Sequence, residues 1–484
     1  MGVLFCLLFT WWFASGIFMM YWDYPEIREA DRLERAAPLD GSQLHLSPQA
    51  AYLRLDIGQP PEGGDLAMIN GRPVYRFRFG FGDQRIVYAD DGTRLREFPP
   101  DRLLEIASAW EGRPARGARF EGTLTEPDQW TVSGSFSPLR PLRKYSWPNG
   151  DEVYVSEVTG DVAQYTTRGS RLGAYLGAIP HWLYFTPLRK NGALWSRIVI
   201  WLSGIATAVA FVGIVVGVWV YAPSRRVPYA GPKRLHMILG LSFGILACTW
   251  AFSGMLSMDP FPLSDDAGIE GTINRALRGA LVRMDVFAVK LPAAALEEAG
   301  NLRVKKLELT SFDGEAVYLA TEAPGRSRII PMRRGPLVEF DRNRILDAVK
   351  RAVQPAILAE TTSLTEYDAY YLDRRHERPL PVLRVRLSDA EESRVYIDPR
   401  NAQVVGSYSS RSWISRWLYH GLHSINLPWL YTHRPVWDVL VLALLGGGTA
   451  LSVTSVILAY QLLRRTFARP ALIGSRVSSG EVTQ

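Results

Sequence analysis

Cysteine is almost absent from this chain: Cys6 and Cys248 are the two cysteines among 484 residues. Both fall inside apolar runs, so the long polar segments contain no cysteine and cannot be held together by disulfide bonds. Those segments therefore need hydrophobic cores of their own.

Several functional signatures are also missing. The sequence has no catalytic-looking cysteine and no Gly-rich fingerprint between a strand and a helix, so we expect neither NAD nor flavin to bind this chain. Its net charge of +7 is not gathered into a basic domain, which argues against nucleic acid as a partner.

Long apolar runs, in contrast, occur four times. Each is long enough to cross about 30 Å of hydrocarbon, and they are Val3–Met20, Ile198–Tyr221, Met237–Met258 and Val436–Leu463. The first run lacks the basic start of a signal peptide. The sequence therefore predicts four transmembrane helices, with the lipid bilayer as a partner.

Charge in the short loops predicts the orientation. The connection between the second and third runs carries Arg225, Arg226, Lys233 and Arg234 and no acidic residue. Basic short loops favour the cytoplasmic side. We therefore expect both termini inside and the two long polar segments outside.

The two halves of the chain resemble each other. A shift of 238 residues superimposes Gly2, Trp12, Ser15, Gly16 and Met20 on Gly240, Trp250, Ser253, Gly254 and Met258, and a shift of 242 superimposes Tyr154 on Tyr396 and His181 on His423. Such a nearly constant offset indicates a tandem duplication. Each half is predicted to contain a span, an outside domain and a second span.

Within each outside domain, strands alternate with helices. "RPVYRFRFGFGDQRIVYADDGTRL" alternates apolar and polar residues around turns at Gly82–Asp83 and Asp90–Gly92, as antiparallel strands do. "PPDRLLEIASAW" opens with prolines and has helical spacing. The predicted fold class is an α+β membrane protein with four transmembrane helices in two tandem repeats.

The prediction divides the chain into ten segments. They are a first span at 1–22, an outside domain at 23–169, an interfacial segment at 170–195, a span at 196–221, a cytoplasmic loop at 222–235, a span at 236–258, an outside domain at 259–410, an interfacial segment at 411–434, a span at 435–464 and a cytoplasmic tail at 465–484.

Several of these stretches carry a resemblance. "GRPVYRFRF…RIVYADDGTRL" and "VYVSEVTGDV" look like PepSY modules, and "LHMILGLSFG", "PHWLYFTPLR" and "YHGLHSINLPWLY" look like span openings of the PepSY-associated transmembrane family of bacterial inner membranes. The resemblance implies periplasmic α+β domains. It also implies iron uptake, since relatives include iron-regulated membrane proteins and haem-containing ferrisiderophore reductases.

Five of the seven histidines lie at span ends or in the segments leading into spans, where an ionisable residue is a functional candidate. His181 and His423 are repeat equivalents, and a pseudo-twofold arrangement would bring them together as the axial ligands of a b-type haem. His420 lies three residues before His423 and is a supporting candidate. Zinc is the competing metal, but it wants three or four ligands and the sequence supplies only part of such a set.

His236 opens the third span, with Gly240 and Gly244 following on the same helix face. These glycines either allow close helix packing or leave room for a porphyrin at the inner side. The repeat equivalent of His236 would fall three residues before Met1, so we expect the natural chain to start further upstream with a second histidine there.

Together these features predict a haem-binding electron-transfer protein of the inner membrane that reduces a ferric siderophore or another periplasmic substrate. The alternative is a non-enzymatic scaffold whose periplasmic domains bind or regulate a protein partner, such as a peptidase or a transport component.

Overall fold

A computed structural model describes residues 2–80, 82–221, 227–261, 266–279, 283–373 and 375–467. Its α-helices are α1 Gly2–Met19, α2 Glu29–Arg35, α3 Pro48–Leu53, α4 Pro100–Glu111, α5 Arg168–Leu176, α6 Ala178–Trp182, α7 Thr186–Arg189, α8 Gly192–Val220, α9 Gly231–Leu256, α10 Asp266–Arg278, α11 Pro292–Glu298, α12 Arg342–Ala352, α13 Pro428–Thr432 and α14 Val436–Phe467. Its strands are β1 Gly63–Ile69, β2 Arg72–Arg78, β3 Gln84–Tyr88, β4 Arg94–Leu95, β5 Arg119–Leu124, β6 Leu142–Ser146, β7 Glu152–Ser156, β8 Val162–Thr166, β9 Lys306–Phe312, β10 Glu315–Ala323, β11 Arg326–Pro331, β12 Leu358–Leu364, β13 Val382–Leu387, β14 Arg394–Asp398 and β15 Gln403–Tyr408. A π-helix covers Ile414–Gly421.

The chain forms two compact units, and each is assembled from both halves of the sequence. The helical unit comprises Met1–Asp23, Gly173–Phe261 and Trp417–Gln484, and the sheet unit comprises Tyr24–Leu172 and Pro262–Arg416.

Four long apolar helices build the helical unit. Three of them, α8, α9 and α14, are long and apolar enough to cross a membrane, which makes this a membrane-associated protein. The fourth predicted span, α1, has 18 residues and reaches only about 27 Å at 1.5 Å per residue. The count of four spans therefore stays a prediction.

Glycines of α14 let aromatic rings pack against its backbone. A side chain at Gly447 would stand 2.3 Å from the ring of Phe243 on α9, and one at Gly448 would stand 2.4 Å from the ring of Phe13 on α1. Close approach of this kind requires glycine. The helices α1 and α9 are thereby held against the same stretch of α14.

The sheet unit is organised around one antiparallel sheet that both halves of the chain share. Its order is β11-β10-β9-β1-β2-β3-β4, and the halves meet where β1 pairs with β9 between Gly64↔Leu309 and Ala67↔Lys306. A repeat alignment compares each half with the other and carries no signal for pairing between halves. The predicted segments 23–169 and 259–410 are thus joined through one continuous sheet.

Each half also contributes a four-stranded antiparallel sheet of its own, β5-β6-β7-β8 from the first and β12-β13-β14-β15 from the second. The helix α4 packs on the first, with Leu103 and Ala107 buried in that core. It begins at Pro100, as the prolines predicted, and ends at Glu111; the next residue, Gly112, has a φ of 74° and forms the left-handed cap that glycine adopts readily. The helix α12 packs on the second sheet through Ile345 and Val349.

Candidate functional site

Two histidines that are 242 residues apart in sequence lie together in the helical unit. His181 is on α6, and His423 follows directly after the π-helix. Their ring centroids are 5.9 Å apart, and the ring planes are inclined by 69°. The proximity that the repeat pattern led us to expect is therefore present.

The two rings are anchored in the same way. Nδ1 of His181 lies 3.1 Å from Ser15 Oγ and 3.1 Å from the carbonyl oxygen of Trp12. Nδ1 of His423 lies 3.0 Å from Ser253 Oγ, and the ring also hydrogen-bonds the backbone of Trp250. Each imidazole is thus held by one turn of a long helix, α1 for His181 and α9 for His423.

These contacts determine which ring nitrogen carries the proton. A carbonyl oxygen can only accept a hydrogen bond, so the Nδ1 that faces it must donate. A neutral histidine with Nδ1–H has its lone pair on Nε2. The pair of histidines therefore presents two unprotonated Nε2 atoms, which is the form that binds a metal ion.

Burial keeps both rings neutral. It lowers the pKa of His181 to about 4 and the pKa of His423 to about 3, where the proximity of His181 adds to the effect. Removing an imidazolium from water is costly, so the charged form is disfavoured. At neutral pH no proton competes for either Nε2.

Glycines next to the anchoring serines also lie beside the rings. A Cβ built at Gly16 would lie 3.8 Å from Cε1 of His181, and one at Gly254 would lie 3.5 Å from Cε1 of His423, which are ordinary van der Waals contacts. The close neighbour of Gly16 is Leu445, whose Cδ2 would be 3.0 Å from that Cβ.

His420, the supporting candidate, lies beside His423 at an exposed position. Its ring packs on Tyr419 with centroids 4.6 Å apart, and the same tyrosine lies 5.6 Å from the ring of His423. His420 therefore neighbours the pair through Tyr419.

His236 lies elsewhere, in the wall of a cavity of about 1130 Å³ that is lined by α1, α8, α9 and α14. Its Nδ1 is 3.0 Å from Thr454 Oγ1 on α14. The cavity is walled mainly by apolar side chains, together with Lys233 and Arg465. Apolar walls with a few polar groups are typical of ligand sites.

The two glycines that follow His236 both line this cavity, but they differ in their neighbours. A Cβ at Gly240 would make only an ordinary contact, 3.8 Å from Leu451 Cδ1, whereas a Cβ at Gly244 would lie 3.1 Å from Ile214 Cγ1 on α8. Gly244 therefore serves helix packing, and Gly240 leaves open space. The helix-packing interpretation therefore applies to Gly244, and room for a porphyrin beside Gly240 stays a prediction.

Within the described ranges, no three His, Cys, Asp or Glu side chains are grouped as a metal site. Of the remaining histidines, His45 and His376 are exposed, and His433 stacks on Trp429.

The anchors of the pair were not predicted as site residues. Trp12, Ser15, Trp250 and Ser253 all belong to the stretch that repeats with an offset of 238 residues. The signal that could have found the serines is a polar residue that both halves keep inside an apolar run. Thr454, the nearest hydroxyl to Nδ1 of His236, has no such signal.

No protein-family model matches the chain, and no curated protein matches it.

Proposed function

We propose that this protein is a haem-binding electron-transfer protein of the bacterial inner membrane, with His181 and His423 as the axial ligands of a b-type haem. The observation that carries the proposal is the pair of neutral imidazoles 5.9 Å apart. Neutral imidazole is a common ligand of iron and other transition metals, so His181 and His423 are the residues that would hold the haem iron.

The protein's own contribution is to hold and orient the two rings. Ser15 and Ser253 sit in the first repeat's α1 and the second repeat's α9, so each ring is fixed by a helix rather than by a loop. Hydrogen bonds to the second nitrogen orient a metal-bound histidine and raise its basicity. Haem would supply one-electron chemistry at this position.

His236 is the candidate for a second haem at the inner side. The adjoining cavity is large and apolar, and Lys233 and Arg465 are the cations in its wall. Cations there suit the two carboxylates that a haem carries. Two redox sites would divide a hydrocarbon layer of about 30 Å into shorter steps.

By its resemblance to the PepSY-associated transmembrane family, the protein would deliver electrons to ferric iron held in a siderophore in the periplasm. One electron converts ferric to ferrous iron, which oxygen chelators hold less tightly. The sheet unit would then be periplasmic and would receive the substrate or a protein partner. This part of the proposal rests on the resemblance alone.

The test is spectroscopic and uses the full chain purified from haem-replete cells. We expect a Soret band and reduced-minus-oxidised α bands, both diminished in His181→Ala and in His423→Ala. His433→Ala is the matched control, since this exposed ring stacks on Trp429 and its loss should leave the spectrum unchanged.

Two results would contradict the proposal. A colourless preparation would favour the scaffold alternative, in which the histidines have no cofactor. Unchanged spectra in both alanine variants would leave a haem protein but remove this pair as its ligands.

A further inference from the structure

The sheet β12–β15 carries a cluster of three arginines around a small cavity. The cavity has a volume of about 330 Å³, and its charged walls are Arg384, Arg386, Arg394, Glu360 and Asp368. Three guanidinium groups face two carboxylates, which leaves a surplus of one positive charge.

Two of these arginines are direct cross-strand neighbours. Arg386 on β13 pairs with Arg394 on β14 in the antiparallel register. Residues directly opposite share one face of the sheet, and like charges in such a pair are destabilising. A sheet that keeps this pair carries an unfavourable interaction that an anion lying over both guanidinium groups would remove.

In the sheet β5–β8, the pair at the same register position has no two like charges facing each other. There Ser146 lies opposite Glu152, and Lys144 Nζ is 3.0 Å from the Glu152 carboxylate. In both sheets the neighbouring pair has a cation opposite a tyrosine, Lys144↔Tyr154 in one and Arg384↔Tyr396 in the other. The surplus charge of the second sheet is therefore a local difference.

The carboxylates of the cavity are already engaged. Asp368 accepts hydrogen bonds from the hydroxyl of Tyr396 and from the backbone N–H groups of Tyr370 and Tyr371. Glu360 lies 2.6 Å from Arg384 Nη2 and 3.4 Å from Arg386 Nε. Little acceptor capacity is left for the remaining guanidinium.

Arg394 is that remaining group. Its guanidinium lies 4.3 Å from the ring centre of Tyr370, and none of the carboxylates in the described part of the chain is within ion-pair distance of it. Nε of Arg386 is buried against Glu360, 3.4 Å away, and makes no hydrogen bond there. Of the two guanidinium groups beside the aromatic ring, Arg394 thus has no carboxylate partner in the described part of the chain, and Arg386 has a long one.

We propose that this cavity binds a small organic carboxylate, held by Arg386 and Arg394 with its apolar body against Tyr370. Arginine pairs with a carboxylate through two parallel hydrogen bonds, and a single anionic group matches the surplus of one charge. The cavity is at the small end of ligand sites, so it suits a molecule of benzoate size. The site is independent of haem.

The test is calorimetric titration of the full chain in nanodiscs with benzoate, with neutral benzamide and inorganic phosphate as comparison ligands. We expect benzoate to bind at least tenfold more tightly than benzamide, with phosphate the weaker anion. Loss of a charged hydrogen bond weakens binding by about ten- to a hundredfold, so Arg394→Gln and Arg386→Gln should each reduce benzoate affinity by that factor.

Arg394→Lys and Arg333→Gln are the matched variants. Lysine keeps the charge but loses the bidentate geometry, so its affinity should fall between wild type and Arg394→Gln. Arg333 is exposed and outside the cavity, and its replacement should change nothing. Without ligand, Arg394→Gln should melt at or above the wild-type temperature, which separates lost binding from misfolding.

Equal affinities for benzoate and benzamide, or benzoate binding that survives both glutamine variants, would overturn the carboxylate site. Tighter binding of phosphate than of benzoate would overturn the role of Tyr370 as an aromatic wall for the ligand, because it would show that the site binds inorganic anions. Neither result bears on the haem spectra.

Discussion

The histidine pair and the His236 cavity place an imidazole beside long helices in two different ways. His181 and His423 face each other, with both Nδ1 atoms occupied by serine and by backbone. His236 faces about 1130 Å³ of space instead, and its Nδ1 lies 3.0 Å from Thr454 Oγ1 and 3.5 Å from Ser455 Oγ. The pair thus offers two imidazoles that the protein holds in place, whereas the cavity offers room and a single imidazole.

The largest expected effect comes from closing the cavity. If a second haem is bound there, His236→Ala and Gly240→Leu should each remove one spectral component and leave the component of the histidine pair intact. Gly240 has room for a side chain, so leucine should fill the space without disturbing the helices. A redox titration followed by absorbance would show two components in the wild type and one in each variant.

The control for that experiment is Gly446→Leu on α14, where a side chain meets no neighbour within 4 Å. It should retain both components. If Gly240→Leu and His236→Ala also retain both components, the second component does not come from haem bound in this cavity.

A smaller effect is expected from the anchors of the pair. The double variant Ser15→Ala, Ser253→Ala leaves the Trp12 carbonyl at His181 and the Trp250 carbonyl at His423, so the rings keep their tautomer but lose one orienting partner each. Such partners typically affect metal affinity by about 10- to 100-fold. Transfer of haem to apomyoglobin would measure the loss.

Thr207→Ala is the matched control, because this hydroxyl bonds a carbonyl of its own helix and has no imidazole partner among the described residues. An equal loss of haem in that variant would show that removing any helix hydroxyl weakens the unit. The role of Ser15 and Ser253 as orienting residues would then fall.

The proximity of His181 and His423 could be predicted from the sequence because a repeat relates residues that are far apart in the chain. His181 and His423 could be matched by a constant offset, and a two-repeat arrangement predicts where matched residues meet. The sheet unit shows the limit. β1 and β9 pair across the halves, and that pairing depends on which edge strands remain open after each half has folded, which no local pattern encodes.

The cavity could not be predicted from the sequence either, although two of the glycines that line it could. Gly240 and Gly244 were recognised as small residues on the face of His236, but only the position of Ile214 on the neighbouring helix separates a packing glycine from an open one. Hairpins and helix starts were easier, since turn residues and prolines act locally: the turn at Asp90–Gly92 lies between β3 and β4 as expected.

The smallest effect is expected from lowering the pH, which should leave the Soret absorbance almost unchanged. Burial holds the pKa of His181 at about 4 and that of His423 at about 3, well below the ordinary value of about 6.5. Between pH 7.5 and 5 the folded protein therefore binds no proton at either ring, and haem bound at the pair should keep its Soret absorbance.

The unfolded chain does take up protons over that range, so the histidines' contribution to stability is complete above about pH 6.5 and declines as the pH falls towards 4. An imidazole with the ordinary pKa would instead be only about 3% neutral at pH 5, which weakens metal binding by roughly thirtyfold. A Soret titration with a midpoint near 6.5 would show that the ligands are exposed histidines rather than the buried pair.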